Sequence, residues 1–179
     1  MSLYDKLLAA ALDLATAPRP VTIPSLRSVA RACDVSATAV YRHFPSQSAL
    51  NKALLMGIDN SFAAAVSGAD APHLLPRERL HRIGRAYLDW GIRNPGLYQL
   101  RFESADALGD DYVRGDVADR VIEGMDALLK AAGREAVRGQ DLWIAAHGLV
   151  SLRIHKPFLP WTDDLDAEVE RLLTLWGIE

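Results

Sequence analysis

The chain has 179 residues, half of them hydrophobic and 24% charged, with a net charge of −3. That is enough apolar material for one ordinary domain, or for a small domain joined to a modest one. No apolar run approaches the roughly 18 residues of a membrane span, no basic start leads into a cleavable apolar core, and the lone Cys33 forms no intrachain disulfide, so the expected setting is the reducing cytoplasm.

Charge is unevenly spread. Residues 1–57 hold six basic and three acidic side chains, a net +3, which leaves −6 for the remainder. Such an asymmetry points to an anion-binding N-terminal part.

Helical periodicity runs through the chain, and no alternating strand pattern stands out. Ser2 with Asp5 reads as a capping box ahead of the stripe Leu7, Ala11 and Leu14. The run PRPVTIP, residues 18–24, ends this first helix because proline cannot continue it. Ser25 can cap a second helix over 26–33. Asp34, Val35 and Ser36 form a tight turn, and Ser36 can cap a third helix that Pro45 stops. Ser46 can cap a fourth, running to about Ser67. GADAPHLLP, residues 68–76, is rich in turn formers. Beyond it helices are expected at about 77–93, 95–104, 109–132, 138–155 and 163–177. The expected fold is all-α, about nine helices: a three-helix head and longer helices suited to a bundle.

Two short helices joined by a three- or four-residue turn have the form of a helix-turn-helix. Val29, Cys33, Val35, Val40 and Phe44 can make its small core. Tyr41, Arg42 and His43 crowd the end of the second helix, and Thr38 stands near its start. A helix of this kind can lie in a DNA major groove. Early residues then reach base edges, and the flanks touch phosphate.

The stretch SLRSVARACDVSATAVYRHFPSQSALNKALL, residues 25–55, resembles the DNA-binding element of the TetR family of transcriptional repressors, most specifically in AVYRHFPS. The likeness covers the first four helices, roughly a third of the chain. It implies a DNA-binding domain over 1–57 and a ligand-binding and dimerisation domain over 58–179. It also implies a homodimer on a palindromic operator in double-stranded DNA, released by a small-molecule ligand, with no cofactor. Carried onto this chain, the DNA contacts are Arg27, Ser36, Ala37, Thr38, Tyr41, Arg42, His43 and Gln47. Family members often carry glycine where Asp34 stands, lysine where Ala37 and Gln47 stand, and threonine where Ala39 stands. More of the contact then falls to Arg27, Thr38, Tyr41, Arg42 and His43.

LWIAAHGLVSLRI, residues 142–154, places Trp143 and His147 on one helix face. With YLDWGIRNPGLYQLRF, residues 87–102, it resembles a TetR subset with a Trp-x3-His-Gly element in its C-terminal domain. On chemistry alone, Tyr87, Trp90, Tyr98, Phe102, Trp143 and His147 can line a site for a small, largely apolar ligand. The same aromatics at helical spacing can equally be core, and His147 can equally be a core or interface residue. Leu142, Leu149, Leu152, Leu165, Leu172 and Trp176 put surplus apolar surface on the last two helices, which suggests a two-fold dimer built there.

Enzymatic readings are thin. Glu78-x-x-His81 has di-iron half-site spacing but no second copy. No G-x-S-x-G, H-E-x-x-H or phosphate loop is present. The expected function is a ligand-responsive transcriptional regulator, not an enzyme. The alternative is a helical small-molecule-binding protein that has lost specific DNA binding.

Overall fold

The computed structural model describes residues 2–15, 22–104, 108–111 and 115–178. Among the described residues there are nine α-helices, one 3-10 turn and no strand. The helices are α1 (Leu3–Ala15), α2 (Leu26–Ala32), α3 (Ala37–Tyr41), α4 (Gln47–Ala69), α5 (Pro76–Arg93), α6 (Pro95–Phe102), α7 (Val117–Ala131), α8 (Gly139–His155) and α9 (Leu165–Leu175). The all-α expectation holds.

The short polar residues start helices as their chemistry requires. Ser2 and Asp5 satisfy each other's backbone N–H, at 2.9 and 3.1 Å. Ser25, Ser36 and Ser46 accept the N–H of Ser28, Ala39 and Ala49 at 3.1, 3.2 and 3.1 Å. Each bond satisfies a donor that the first helical turn leaves without a partner.

One expected helix is corrected. The segment 109–132 is not continuous: a 3-10 turn occupies Gly109–Asp111, and α7 begins only at Val117. Gly115 lies in the break. A Cβ there would collide with the guanidinium of Arg101 and the carboxylate of Asp59. Those two form a buried ion pair at 2.6 Å, with side chains 3% and 19% exposed. A side chain at 115 would have to displace that pair, and sequence periodicity does not register such a contact.

The chain forms two compact units. The first is residues 1–61 with 94–115, and the second is 62–93 with 116–179. The boundary therefore falls inside α4, and α6 belongs with the N-terminal helices. The expected division at 57/58 concerned roles, whereas this one concerns packing. In the first unit α1 packs on α2 and α6, and α2 packs on α3, around buried Leu7, Val29, Val40, Phe44, Leu54 and Tyr98. In the second, α5 packs on α7, α8 and α9. Its buried face follows the helical period: Leu80, Ile83, Tyr87, Leu88, Trp90 and Gly91. Among the described residues no helix is long and apolar enough to cross a membrane.

Candidate nucleic-acid interface

The site is built from α2, the turn after it and α3. Cys33 closes α2, and the chain then turns sharply. Val35 donates to the Ala30 carbonyl at 3.0 Å and Asp34 to the Arg31 carbonyl at 3.2 Å. That pair of bonds is the Schellman closure, which needs a left-handed residue at its centre. Asp34 fills that place with φ +52°. α3 then starts under the Ser36 cap.

Val29, Ala30, Val40 and Phe44 are buried and hold the two helices together. The other faces look outward. Arg27, Arg31, Ser36, Ala37, Thr38, Tyr41 and Arg42 are all exposed. Tyr41, at 50%, is far more open than a tyrosine held for packing. Ser25, Arg27, Ala30, Arg31, Val35 and Ala37 line an open groove between α2 and α3. Arg31 is an addition to the expected set. It lies four residues after Arg27, so helical spacing alone puts both on one face.

His43 is half-buried and lies edge-on to Tyr4 of α1, with ring centroids 6.3 Å apart. Tyr4 also packs on Phe44, at 5.1 Å. Cys33 Sγ faces the Lys6 carbonyl at 3.5 Å, which ties α2 to α1.

Gln47 requires a correction. Its amide nitrogen donates to the Pro24 carbonyl and to Asn51 Oδ1, both at 2.9 Å. Its amide oxygen accepts the Leu26 N–H at 3.2 Å. Both amide hydrogens are thus committed inside the protein, and none remains for a phosphate.

The six residues expected at a ligand site fall into separate groups. Tyr98 and Phe102 belong to the first unit and pack on each other at 4.9 Å. In the second unit Phe62 meets Tyr87 and Trp90 edge-on, at 5.3 and 5.1 Å. Trp143 and His147 stack on one face of α8, at 5.2 Å and 20°. Of the six, Tyr87 lines a small apolar cavity of about 40 Å³, shared with Leu80, Ile83, Met125, Leu142, Ala146 and Leu173. A larger groove of about 160 Å³ in the same unit is lined by Val66, Ile83, Val117, Val121 and Met125, with Ser67, Asp70 and Arg120 as polar members. Sequence reading missed these aliphatic residues, because nothing distinguishes a Val or Met beside a cavity from one in the core.

The residues expected at a dimer interface also divide. Leu142 is corrected to core: it is only 9% exposed and lines the small cavity. It shares a buried face with Ala146 and Val150. Leu149, Leu165 and Leu172 are half-buried, and Leu172 lines that cavity too. Leu152 and Trp176 are exposed, as are Ile144, Phe158, Leu159 and Leu175, which sequence reading had not selected. Phe158, at 98%, is almost wholly in solvent.

Glu78 and His81 have ordinary structural partners. Glu78 accepts the Leu75 N–H at 3.0 Å, and His81 Nε2 lies 3.3 Å from the Asp166 carbonyl.

A capped helix-turn-helix with an outward basic face, joined to a helical bundle, defines a class of DNA-binding regulatory proteins. Comparison with known proteins makes the assignment narrower. The family described as tetracyclin repressor-like, C-terminal domain, matches residues 80–175. The chain belongs to that family. A TetR transcriptional regulator from Streptomyces coelicolor is 26% identical, covers 98% of both chains and superposes with a TM-score of 0.59. A tetR-family regulatory protein from Rhodococcus shares the fold, with a TM-score of 0.73 at 19% identity over 98% of this chain and 96% of that one. The nucleoid occlusion factor SlmA of Haemophilus influenzae is 30% identical over 83 residues, 43% of this chain and 38% of that protein. The Klebsiella pneumoniae SlmA is 29% identical over 107 residues, 60% of this chain and 54% of its own length. The chain thus spans only about two-fifths to one-half of these curated relatives.

Proposed function

We propose that this protein is a DNA-binding transcriptional regulator, a repressor that acts as a homodimer on a palindromic operator. Residues 1–57 would bind DNA, and 58–179 would bind ligand and dimerise. The observation that carries the reading is the outward face of α2 and α3, where Arg27, Arg31, Thr38, Tyr41 and Arg42 stand exposed on a capped scaffold. Arginines there contact phosphate, and Thr38, near the start of α3, faces bases.

Release is assigned to a small, largely apolar ligand in the bundle, favoured by the groove between α4, α5 and α7. The ligand must bind more tightly to the conformation whose paired recognition helices no longer match successive major grooves, about 34–36 Å apart. Exposed Ile144, Leu152, Phe158, Leu175 and Trp176 supply apolar surface for a second copy.

The test is selection from a random-sequence duplex pool, followed by affinity against salt. Binding should weaken with added salt, with a log–log slope of about −0.9 per phosphate contact. A protein that selects no duplex at low salt is not this regulator. The second reading, a helical ligand-binding protein without specific DNA binding, is favoured by the internal use of Gln47 and by alanine at positions 37 and 39. It would give no selected duplex but a measurable small-molecule complex.

A further inference from the structure

One buried polar system lies behind the outward face of α2. Asn51 lies on α4, is only 6% exposed and makes no direct contribution to the outward face. Its amide nitrogen donates to Asp111 Oδ2 at 2.9 Å, across 60 residues of sequence. Its amide oxygen accepts from Gln47 Nε2 at 2.9 Å. Gln47 in turn holds the start of α2 from both sides, through the Pro24 carbonyl and the Leu26 N–H. Four hydrogen bonds therefore run from the 109–111 turn to the residue before Arg27.

The direction of this chain is chemically fixed. A peptide carbonyl at one end and a carboxylate at the other can only accept. Gln47 must therefore turn its nitrogen to Pro24, Asn51 must turn its oxygen to Gln47, and the Asn51 nitrogen is left facing Asp111. Hydrogen bonds from Ser48 and Asn51 hold the Asp111 carboxyl below the usual carboxylate range, so it is an ionised acceptor at neutral pH.

We propose that Asp111, Asn51 and Gln47 are positioning residues for DNA recognition: they anchor the N-terminus of α2, and with it Arg27 and Arg31, to the turn that follows α6. This rests on the DNA-binding reading above. None of the three touches DNA in it; they act through α2. A network of this kind is sensitive to single changes, because each buried group left without a partner penalises the arrangement that exposes it.

The test uses a donor–acceptor exchange. Asn51→Asp keeps an oxygen for Gln47 but sets a second carboxylate against Asp111. Affinity for the duplex selected by the wild-type protein should fall about tenfold or more, and amide hydrogen exchange across residues 22–32 should accelerate. Adding Asp111→Asn restores a donor facing an acceptor, with the roles reversed. The double variant should recover affinity to within about threefold of wild type and regain slow exchange. Chemical denaturation of the same variants separates a fold effect: an affinity loss in Asn51→Asp no larger than its rise in unfolded fraction also overturns the positioning role. Wild-type-like affinity in Asn51→Asp, or a double variant as weak as the single one, overturns the relay and leaves the DNA reading standing. A wild-type protein that selects no duplex overturns that reading first, and the positioning role with it.

Discussion

The arginines of the helix-turn-helix and those of α5 are the same residue put to opposite uses. On α5, Arg79 grips Asp70 with two bonds of 2.7 and 2.8 Å, and Arg77 pairs with Glu170. Arg85 reaches Asp166 at 3.3 Å, and Arg93 reaches Asp89 at 3.0 Å. Among the described residues no carboxylate pairs with Arg27, Arg31 or Arg42. Charge on α5 is closed within the protein, partly stitching α5 to α9. On α2 and just past α3 it is left open, the arrangement a polyanion can complete by releasing its own counterions. Basic residues counted along the sequence look alike; their partners separate recognition from cohesion.

The largest expected effect breaks the open side of this contrast. Arg27→Ala, Arg31→Ala and Arg42→Ala together should weaken duplex binding by about 100-fold or more and lower the salt slope by roughly one unit per arginine. Their melting temperature should stay close to that of wild type, since no internal pair is lost. Anisotropy titrations across a salt series and thermal melts check both halves. A large drop in stability with an unchanged salt slope would show these arginines to be structural.

Arg79→Ala should do the reverse. It removes a two-bond grip on Asp70 whose side chains are only 24% and 29% exposed. Melting should fall by a few degrees, while affinity for the selected duplex remains within about twofold of wild type. A duplex affinity that falls as steeply as in the arginine triple would erase the distinction.

Acid sharpens the same comparison. The Arg79 hydrogen bonds hold the Asp70 carboxyl below its ordinary value, and Arg77 does the same for Glu170. A carboxyl depressed in the folded state stabilises at pH above its unfolded pKa, about 4, and loses that contribution as pH falls through the folded value. The stability gap between wild type and Arg79→Ala should therefore be flat near neutrality and close below about pH 4. Chemical denaturation at a series of pH values measures it. A gap that widens in acid would contradict the assignment.

The smallest effect concerns the turn that presents α3. α2, α7 and α9 all end in the same double-bonded closure around one left-handed residue, and α7 and α9 use glycine there, Gly133 and Gly177, with φ +68° and +65°. α2 uses Asp34. Asp34→Gly should raise stability by about 0.5 kcal/mol, the relief of a side chain in that conformation less the added freedom of the unfolded glycine. Duplex affinity should not change. A loss of stability would mean that the Asp34 side chain contributes something the backbone argument omits.

Much of the fold was legible because its signals are local. Ser25, Ser36 and Ser46 each satisfy an N–H group only three residues away, so spacing in the sequence is already spacing in space. The outward place of Thr38 was legible for the same reason: once Val40 is read as buried, a residue two positions before it on a helix of about 3.6 residues per turn falls on the opposite side. The ligand and dimer residues were less legible. A stripe of Leu or Trp states that a face is apolar, not which neighbour covers it. Leu142 therefore reads as interface by its spacing although α5 and α7 enclose it, and exposed Ile144, two residues on, lies off that spacing.

Amino-acid order by itself determined the all-helical character of the described residues, the caps at Ser2, Ser25, Ser36 and Ser46, the sharp turn at Asp34 and the basic outward face of α2 and α3, since each depends on groups within a few residues. Tertiary structure alone decided that residues 94–115 pack with the N-terminal helices, that Gly115 lies close over the Arg101–Asp59 pair, and that the Gln47 amide is bonded within the protein. Those outcomes turn on partners 42 to 60 positions away, or on a side chain claimed by a carbonyl 23 residues earlier. No periodicity encodes such pairings, because they are chosen by which surfaces exclude water together once the helices have formed.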